Sequence, residues 1–346
     1  MADVLFETLN GFGAIKLNRP KALNALNLSM TEEIHHFLTH AEKNPALSFI
    51  LIQSTSDKAF CAGGDIRQIF EAKMSTLAPH FFSQEYGLNY KIATLKKPYI
   101  SLIDGICMGG GLGISVHGKY RIVTEQAILA MPETGIGFFP DVGAAYFLNK
   151  LPGNIGLYLG LTGKYLNAQD ALFMGLATHF IPHESMKDFL DSLHTTSLQN
   201  ALMQYSPQNV PGQISEISPH VKDINSFFSK ESLEDIMKTL EKSSTPFAQE
   251  TYEILLKKSP LSLKITLKYF REYKGLPLKT ILNQDYVLSQ HFMENPDFFE
   301  GVRALLIDRD KHPHWSPQNI QDVSAKQVER YFAPQNSQSF NLFKSK

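Results

Sequence analysis

Two short and almost uninterrupted apolar runs constrain the fold of this 346-residue chain more than any other feature. They cover residues 49–52 and 99–103, and a glycine-rich turn follows each of them. Apolar runs of this length, without polar alternation, are typical of strands that are covered on both faces. Because helix-like segments alternate with such runs in the first half, the sequence predicts an α/β architecture with a buried sheet.

Helical patterns alone continue past about residue 185, where no strand is clear. Ser29 and Glu32 have the spacing of a capping box and predict the start of an early helix. Ser259, followed by a proline, predicts the start of a later one. Residues 206–225 are rich in Ser, Pro, Gly and Asn, which indicates a linker or long loop. We predict a core over residues 1–200, a helical C-terminal region over 201–335 and a disordered tail over 336–346.

Composition argues against several classes of protein. A formal net charge of -1 and a pI near 6.9 leave no basic excess for nucleic acid or an anionic membrane. The most apolar stretch, residues 99–116, contains Asp104 and five glycines, which argues against a membrane span. The chain has 2 cysteines, which fits a reducing compartment. The first seven residues carry two acids and no base, so a cytoplasmic location is expected.

No pattern predicts a metal site or a resident cofactor. The 12 histidines include the pair His35 and His36 and the spaced pair His312 and His314. None of them stands with other ligands at a recognised metal spacing. The chain also lacks a phosphate-binding P-loop and a dinucleotide fingerprint, so neither nucleotide hydrolysis nor a redox cofactor is expected.

The two glycine-rich turns are the first candidate functional feature. One contains Gly63 and Gly64, and the other consists of residues 109–111. Glycine lets a backbone N–H approach a ligand without an obstructing Cβ, so two such turns can direct two donors at one oxygen, as in an oxyanion hole. A structural alternative stays open, in which the glycines permit close packing of helix on strand and Asp65 caps the helix that begins at Ile66.

Two carboxylates in residues 131–143 are the second candidate feature. Glu133 and Asp141 stand among apolar and small residues there. Burial raises the pKa of a carboxyl group and makes it usable as an acid, a base or a nucleophile. The residues alone favour the alternative, in which Glu133 is an exposed acid in a turn and Asp141 caps a helix.

Three ordered motifs resemble the enoyl-CoA hydratase/isomerase (crotonase) family: residues 17–26, residues 58–66 and the glycines 109–111. The resemblance implies a core of repeated ββα units with two roughly perpendicular sheets. It also implies an acyl-CoA substrate, of which coenzyme A is a part. By motif position, the N–H groups of Gly64 and Gly110 are implied to polarise the thioester carbonyl, and losing one such donor can cost about a hundredfold to a thousandfold in rate.

The same resemblance implies where the CoA portion binds, since family members contact the nucleotide largely through backbone groups of these turns. The implied binding residues are Lys21, Ala22, Ala62, Gly63, Asp65 and Gly109. For Lys21, contact with a phosphate and a solvated position in a turn are equally open.

One departure from the family pattern concerns its acids. Typical hydratases carry a glutamate three residues after the second oxyanion glycine and another on a later Pro-Glu turn, and the pair delivers water across a double bond. Here the first position is Gly113 and only the second acid is present, as Glu133. One carboxylate cannot easily perform both proton transfers, which argues against hydration.

Further segments resemble the branch of the family that hydrolyses short 3-hydroxyacyl-CoA thioesters such as 3-hydroxyisobutyryl-CoA. They are residues 81–86, 108–118, 132–143, 262–266 and 300–308. The resemblance implies substrate contacts for Glu85, Gly110, Glu133 and Asp141, and a helical C-terminal region that covers the active site.

Two other functions stay open from the sequence: an enoyl-CoA hydratase or isomerase, and a non-catalytic protein that binds acyl-CoA. Assembly is open as well. Family members often form trimers, so a homo-oligomer is one option, but the helical C-terminus could occupy the usual interface.

Overall fold

The computed structural model describes residues 2–9, 11–72, 77–207, 210–334 and 342–343. The strands are β1 (Val4–Leu9), β2 (Phe12–Leu17), β3 (Phe49–Ser54), β4 (Ala59–Cys61), β5 (Tyr99–Ile103), β6 (Ile106–Met108), β7 (Tyr120–Val123), β8 (Ile128–Ala130) and β9 (His179–Phe180). The helices are α1 (Leu28–Lys43), α2 (Ile66–Ala72), α3 (Leu77–Ala93), α4 (Gly110–Gly113), α5 (Ala144–Phe147), α6 (Ile155–Thr162), α7 (Ala168–Met174), α8 (Met186–Ser192), α9 (Leu198–Tyr205), α10 (Val221–Phe227), α11 (Leu233–Glu241), α12 (Pro246–Leu256), α13 (Pro260–Glu272), α14 (Leu278–Met293), α15 (Pro296–Val302) and α16 (Ala325–Phe332).

Two compact units alternate along the sequence. The sheet unit consists of Met1–Gly64, Leu88–Ala130 and Tyr165–Ser218, and it contains all the strands of the described residues. The helical unit consists of Asp65–Gly87, Met131–Lys164 and Pro219–Lys346, and its described residues form helices and turns. The domain limits of 1–200 and 201–335 stay predictions.

Pairs of consecutive strands in the sheet unit are divided between two sheets. One sheet has the order β1-β2-β3-β5-β7-β9 and the other the order β4-β6-β8. The first strand of each pair β3-β4, β5-β6 and β7-β8 joins the larger sheet, the second joins the smaller one, and successive pairs align in parallel. Helix α2 follows the first pair and helix α4 the second. The predicted crotonase-like architecture of ββα units is therefore confirmed.

The two apolar runs form strands β3 and β5, as predicted. On one face, Leu51 and Leu102 lie in a core cluster with Phe189 of α8. On the other face, Ile50 and Ile103 are also buried. Burying such a side chain contributes roughly 1.5 to 3 kcal/mol, so burial on both faces stabilises these strands in the interior.

Two predicted features of the chain differ from the structure. The cap of α1 is Asn27, whose side chain accepts a hydrogen bond of 2.9 Å from the N–H of Met30, while Ser29 donates to Glu33 instead. The capping-box prediction is therefore wrong, because Asn27 already has the extended backbone of a cap. The predicted loop over 206–225 is wrong in its last part, where a 3-10 turn and α10 are helical.

The C-terminal region is helical, as predicted. Ser259 caps α13 by accepting a hydrogen bond from the N–H of Ser262. In the predicted tail, residues 336–341 and 344–346 lie outside the described residues, and the N–H of Leu342 donates to the side-chain oxygen of Asn283. Each helix among the described residues is too short or too polar to traverse a lipid bilayer.

An aromatic cluster forms part of the core of the helical unit. The ring of Phe138 lies 5.2 Å from that of Phe292 and 5.6 Å from those of Phe82 and Phe298. Phe139 lies 5.3 Å from Phe292. Phe138 and Phe139 stand between Glu133 and Asp141 in the sequence, so these two acids are brought into an apolar interior.

Candidate active site

The two glycine-rich turns of the sheet unit contact each other. A Cβ built on Gly63 would lie 3.3 Å from the carbonyl oxygen of Met108 and 3.7 Å from the nitrogen of Gly110. A Cβ on Gly111 would lie only 2.3 Å from the carbonyl oxygen of Cys61. Gly63 also has a φ of +109°, which side chains disfavour. Glycine is therefore required for this close approach of two backbones.

The N–H groups of Gly64 and Gly110 have no acceptor among the described residues. A hydrogen bond of 2.8 Å from Leu26 to the carbonyl of Gly63 fixes the first turn. One of 3.2 Å from Gly109 to Ala130 fixes the second. Both amides remain able to bind an oxygen of a ligand, which is what an oxyanion hole requires. That role stays a prediction.

The predicted CoA-binding turns are also adjacent within the sheet unit. The 3-10 turn Pro20–Ala22 is followed by Leu23, whose carbonyl accepts a hydrogen bond of 3.0 Å from the N–H of Ala62. The buried side chain of Asn24 donates to the carbonyl of Phe60 at 3.0 Å and locks the turn against β4. The structure thus brings Lys21 and Ala22 close to the first glycine-rich turn.

Lys21 and Asp65 differ in what surrounds them. The side chain of Lys21 is exposed, as expected for a phosphate contact and for a solvated lysine alike. Asp65 accepts a hydrogen bond of 3.1 Å from the N–H of Gln68 and so caps α2, as the structural alternative expected. A role of either residue in CoA binding stays a prediction.

The three predicted acids of the site are buried in the helical unit: Glu85 on α3, Glu133 on the 3-10 turn Glu133–Ile136, and Asp141 before α5. Their exposed fractions are 2%, 7% and 6%. Oε1 of Glu85 and Oε2 of Glu133 have no hydrogen-bond partner among the described residues, whereas Asp141 accepts a bond of 2.7 Å from Tyr86. The alternative of Glu133 as an exposed turn acid is therefore wrong.

Burial raises the pKa of all three acids. For Glu85, burial acts first and the negative charges of Asp141 and Glu133 raise the pKa further. For Glu133, burial acts first, the charge of Asp141 adds to it, and the ammonium of Lys258 opposes it. Burial raises the pKa of Asp141 to about 7, against the hydrogen bond from Tyr86. Negative charges on the three acids therefore disfavour one another, so the acids resist being ionised together.

A fourth buried acid, Asp285 of α14, holds the turn that carries Asp141. One oxygen of Asp285 accepts a hydrogen bond of 2.7 Å from the N–H of Gly143, and the other accepts one from the phenol of Tyr269. Gly143 and Val142 have φ values of 81° and 49°. A positive φ at a β-branched residue costs on the order of 1 to 3 kcal/mol. The hydrogen bond from Gly143 to Asp285 helps to stabilise this strained turn.

Four residues of this site were missed by the sequence reasoning: Tyr86, Lys258, Tyr269 and Asp285. A signal existed for Asp285, which is a lone acid on the apolar face of α14. The other buried residues of that helix are Leu278, Ile281, Leu282, Leu288, Ser289, His291 and Phe292. Tyrosines occur on many helical faces, and Lys258 lies between α12 and α13, so these residues carried no such signal.

The chain belongs to the enoyl-CoA hydratase/isomerase family, whose model matches residues 12–332. Among curated relatives, a protein of Gallus gallus is 43% identical over 99% of this chain and 91% of its own length. Relatives from Rattus norvegicus and Homo sapiens are 44% and 42% identical over 96% and 95% of this chain, and 89% and 88% of their own lengths. All three are named 3-hydroxyisobutyryl-CoA hydrolase, mitochondrial.

Solved structures of the family share the fold. A carnitinyl-CoA dehydratase from Mycobacterium thermoresistibile is 34% identical, covers 98% of both chains and has a TM-score of 0.93. An enoyl-CoA hydratase from Rhodobacter sphaeroides is 33% identical, covers 96% of this chain and 98% of its own, and has a TM-score of 0.89.

Proposed function

We propose that this protein hydrolyses 3-hydroxyisobutyryl-CoA, or a similar short 3-hydroxyacyl-CoA, to the free acid and CoA. Relatives that carry this activity in their names are similar over nearly the whole chain. The structural observation that carries the proposal is the burial of Glu133, with one unpaired oxygen, among other acids of raised pKa. Such a carboxylate is suited to attack a thioester or to activate water.

The proposed reaction begins with the thioester carbonyl, which the N–H groups of Gly64 and Gly110 polarise. In one route, a carboxylate oxygen of Glu133 attacks the carbonyl carbon and the C–S bond breaks, leaving a mixed anhydride that water hydrolyses. In the other, Glu133 takes a proton from water and the resulting hydroxide attacks. In both routes the CoA thiolate leaves and takes up a proton.

Asp141 and Glu85 have supporting roles in this proposal. Asp141 orients the attacking group or the substrate hydroxyl, and its pKa of about 7 lets it take up or release a proton near neutral pH. Glu85 binds the 3-hydroxyl group of the substrate. A site built to bind a hydroxyl group discriminates against substrates that lack it, so 3-hydroxyacyl groups are favoured over plain acyl chains.

The test is release of free thiol from a panel of acyl-CoA thioesters, with 3-hydroxyisobutyryl-CoA expected to be hydrolysed fastest. Glu133→Gln keeps the shape of the side chain and removes its charge, so we expect a loss of at least about a hundredfold. Glu253→Gln, at an exposed position of α12, is the control. Near-normal hydrolysis by Glu133→Gln would contradict the assignment.

The two routes differ in where labelled oxygen goes. A single turnover in ¹⁸O-labelled water places the label in Glu133 if a mixed anhydride forms and water attacks its enzyme carbonyl. Label that enters only the product acid is the result expected of the general-base route, and also of an anhydride that water attacks at the acyl carbonyl, so label in Glu133 is the outcome that distinguishes the anhydride route. Mass spectrometry of the peptide that contains Glu133 separates the two outcomes.

Hydration is a second candidate, because two solved structures of similar fold are described as a hydratase and a dehydratase. The position where typical hydratases carry their other glutamate is Gly113, the last residue of α4, which is buried. Faster hydration of crotonyl-CoA than hydrolysis of 3-hydroxyisobutyryl-CoA would favour this candidate. Tight binding of acyl-CoA without turnover would favour a non-catalytic role.

The proposal also covers the cellular location, the pathway and the oligomeric state of the protein. The sequence predicts a cytoplasmic location, whereas the vertebrate relatives carry the word mitochondrial in their names. The resemblance to their hydrolase implies a place in valine degradation. Microscopy of the tagged full-length chain against a mitochondrial marker tests the location, and light scattering after size-exclusion chromatography tests the proposed homo-oligomer.

A further inference from the structure

The ammonium group of Lys258 lies against the turn that carries Glu133. A Cβ built on Gly135, two residues after Glu133, would lie 3.2 Å from Nζ of Lys258. A Cβ on Gly163, at the end of α6, would lie 3.5 Å from the same atom. Two glycines therefore leave the space that the end of this lysine occupies.

Hydrogen bonds fix the backbone beside Lys258 to the same turn. The N–H of Ser259 donates to the carbonyl of Thr134 at 3.2 Å, and the hydroxyl of Ser259 donates to Asp297 at 2.6 Å. The hydroxyl of Thr134 in turn donates to the carbonyl of Leu161 at 3.0 Å. The lysine and the glutamate are thus carried by segments that cannot easily move apart.

The ammonium of Lys258 forms no hydrogen bond or ion pair with any residue that the structure describes. Burial lowers the pKa of Lys258 to about 8, against the effect of the Glu133 charge, and the group stays protonated at neutral pH. Lys258 is half-buried. A partly desolvated charge costs free energy unless it acts on another charge, so its presence here points to a functional role.

The charged groups around Glu133 are mostly acids. The charge of Asp141 raises the pKa of Glu133, and the charge of Glu133 raises the pKa of Glu85. Negative charges on these acids therefore disfavour one another. Helix α15 packs against the turn and brings two more acids, Asp297 and Glu300. Asp297 is bonded to Ser259 and Ser316, and Glu300 is paired with Arg303. Helix α6, which also packs there, carries no charged residue.

The surroundings of Lys258 itself include a cavity of about 270 Å³. Four other titratable residues line it: Glu234, Lys238, Glu241 and Tyr252. Among the described residues, Glu133 is the group whose charge raises the pKa of Lys258, and Lys258 is the cation whose charge lowers that of Glu133.

We propose that Lys258 is a positioning residue for thioester hydrolysis, whose ammonium, held beside the turn of Glu133, opposes the effect of burial and favours the ionised form of Glu133 that attacks the thioester or water. The inference rests on the proposed function, in which Glu133 is the reacting carboxylate. Burial and the charge of Asp141 raise the pKa of Glu133 even with Lys258 beside it. Without this cation the ionised form would be rarer still, and a protonated carboxyl is neither a nucleophile nor a base.

Three variants test this role through the pH dependence of kcat/KM for 3-hydroxyisobutyryl-CoA. In Lys258→Met, we expect the acidic limb of the profile to move to higher pH by about one unit or more, so that activity lost at pH 6 is partly recovered at pH 9. Lys258→Arg keeps the charge and should keep the limb near that of the wild type. Lys257→Met is the matched control at the exposed neighbouring position.

A folded Lys258→Met protein with the acidic limb of the wild type overturns the proposal. If Lys258→Met does not fold, Gly135→Ala takes its place, because the added Cβ would lie 3.2 Å from the ammonium and make it shift slightly. We expect a smaller shift in the same direction, and an unchanged limb again overturns the proposal.

A measurement without turnover separates this proposal from the proposed function. Protein labelled with ¹³C at glutamate Cδ gives a signal that is absent in Glu133→Gln, and its titration by NMR reports the pKa of Glu133. A higher pKa in Lys258→Met supports the role of Lys258 even if the wild type releases no thiol from 3-hydroxyisobutyryl-CoA. An equal pKa in both proteins refutes it even if hydrolysis is fast.

Discussion

The phenol of Tyr86 donates a hydrogen bond of 2.7 Å to the carboxylate of Asp141, and both side chains are buried. This bond lowers the pKa of Asp141 and partly offsets the effect of burial, which raises it. Because Tyr86 follows Glu85 directly in α3, one turn of helix supplies the acidic site with both a carboxyl group and a phenol.

Tyr86→Phe removes this hydrogen bond and leaves Asp141 buried without its donor. We expect the free energy of unfolding to fall by about 1 to 3 kcal/mol. We also expect the pKa of Asp141 to rise and hydrolysis at neutral pH to fall by roughly tenfold. Urea unfolding and thiol-release assays check both effects. Tyr165→Phe, at a tyrosine that is 57% exposed, is the control and should change neither quantity.

Asp141→Asn should change how stability depends on pH. The folded-state pKa of Asp141 is raised to about 7 from an ordinary value of 3.8, so the unfolded chain loses this proton first as the pH rises. Stability that is present below pH 4 is therefore lost between about pH 4 and pH 7, by up to about 4 kcal/mol. Asparagine does not titrate, so the variant should gain stability relative to the wild type over this range.

Urea unfolding of both proteins at pH 4 and at pH 7.5 measures that difference. A stability difference between wild type and Asp141→Asn that is the same at both pH values contradicts the raised pKa. Glu85 and Glu133 are shifted in the same direction, so the wild type should remain more stable in mild acid than exposed acids alone would make it.

Substitutions of Asp285 separate its hydrogen bonds from its charge. Asp285→Ala removes the acceptor for the N–H of Gly143, and we expect a loss of about 2 kcal/mol in stability together with a strong loss of hydrolysis. Asp285→Asn keeps an oxygen for Gly143, while its amide donates to the phenol of Tyr269, which still has the carbonyl of Ile281 as an acceptor. The asparagine variant should therefore stay close to the wild type, and an equal loss in both variants would show that the charge matters more.

Gly111→Ala should disturb the contact of the two glycine-rich turns. The new Cβ would lie 2.3 Å from the carbonyl oxygen of Cys61, so one of the two backbones must shift. We expect lower stability and at least a hundredfold loss of hydrolysis if the predicted donors Gly64 and Gly110 lose their alignment. Thermal unfolding and the thiol-release assay provide the measurements.

Gly87→Ala is the matched control for that substitution. Apart from its chain neighbours and the backbone of its own helix, nothing in the described part of the chain lies within 4 Å of a Cβ at Gly87, which stands within α3. Alanine is favoured over glycine inside a helix, so this variant should gain up to about 1 kcal/mol. Equal behaviour of the two alanine variants would argue against a steric requirement at Gly111.

Local patterns predicted part of the fold and site. The uninterrupted apolar runs identified β3 and β5, and the proline after Ser259 located the start of α13, because both signals lie within a few residues of the feature they specify. The cap of α1 was misplaced because Ser29 has the capping-box spacing to Glu32, whereas in the structure the side chain of Asn27 accepts the hydrogen bond from the N–H of Met30.

Local sequence patterns could not predict which side chains are buried or which distant segments contact each other. Glu133 and Asp141 were recognised as candidates, yet the residues alone favoured exposed structural roles for them. Their burial depends on Phe292 and Phe298, which follow more than a hundred residues later. Lys258, between α12 and α13, and Asp285 of α14 lie near groups equally distant in sequence, and no local pattern shows which acid or amide they meet.

The alternation of the two units along the sequence has a consequence for synthesis of the protein on the ribosome. Strand β9 completes the larger sheet by pairing with β7, but the segment Met131–Lys164 is translated between them and belongs to the helical unit. At about 5 to 20 residues per second, the nascent chain therefore waits several seconds with the edge of β7 uncovered. Chaperone dependence should be greatest in that interval, and it should end once Phe180 has left the exit tunnel.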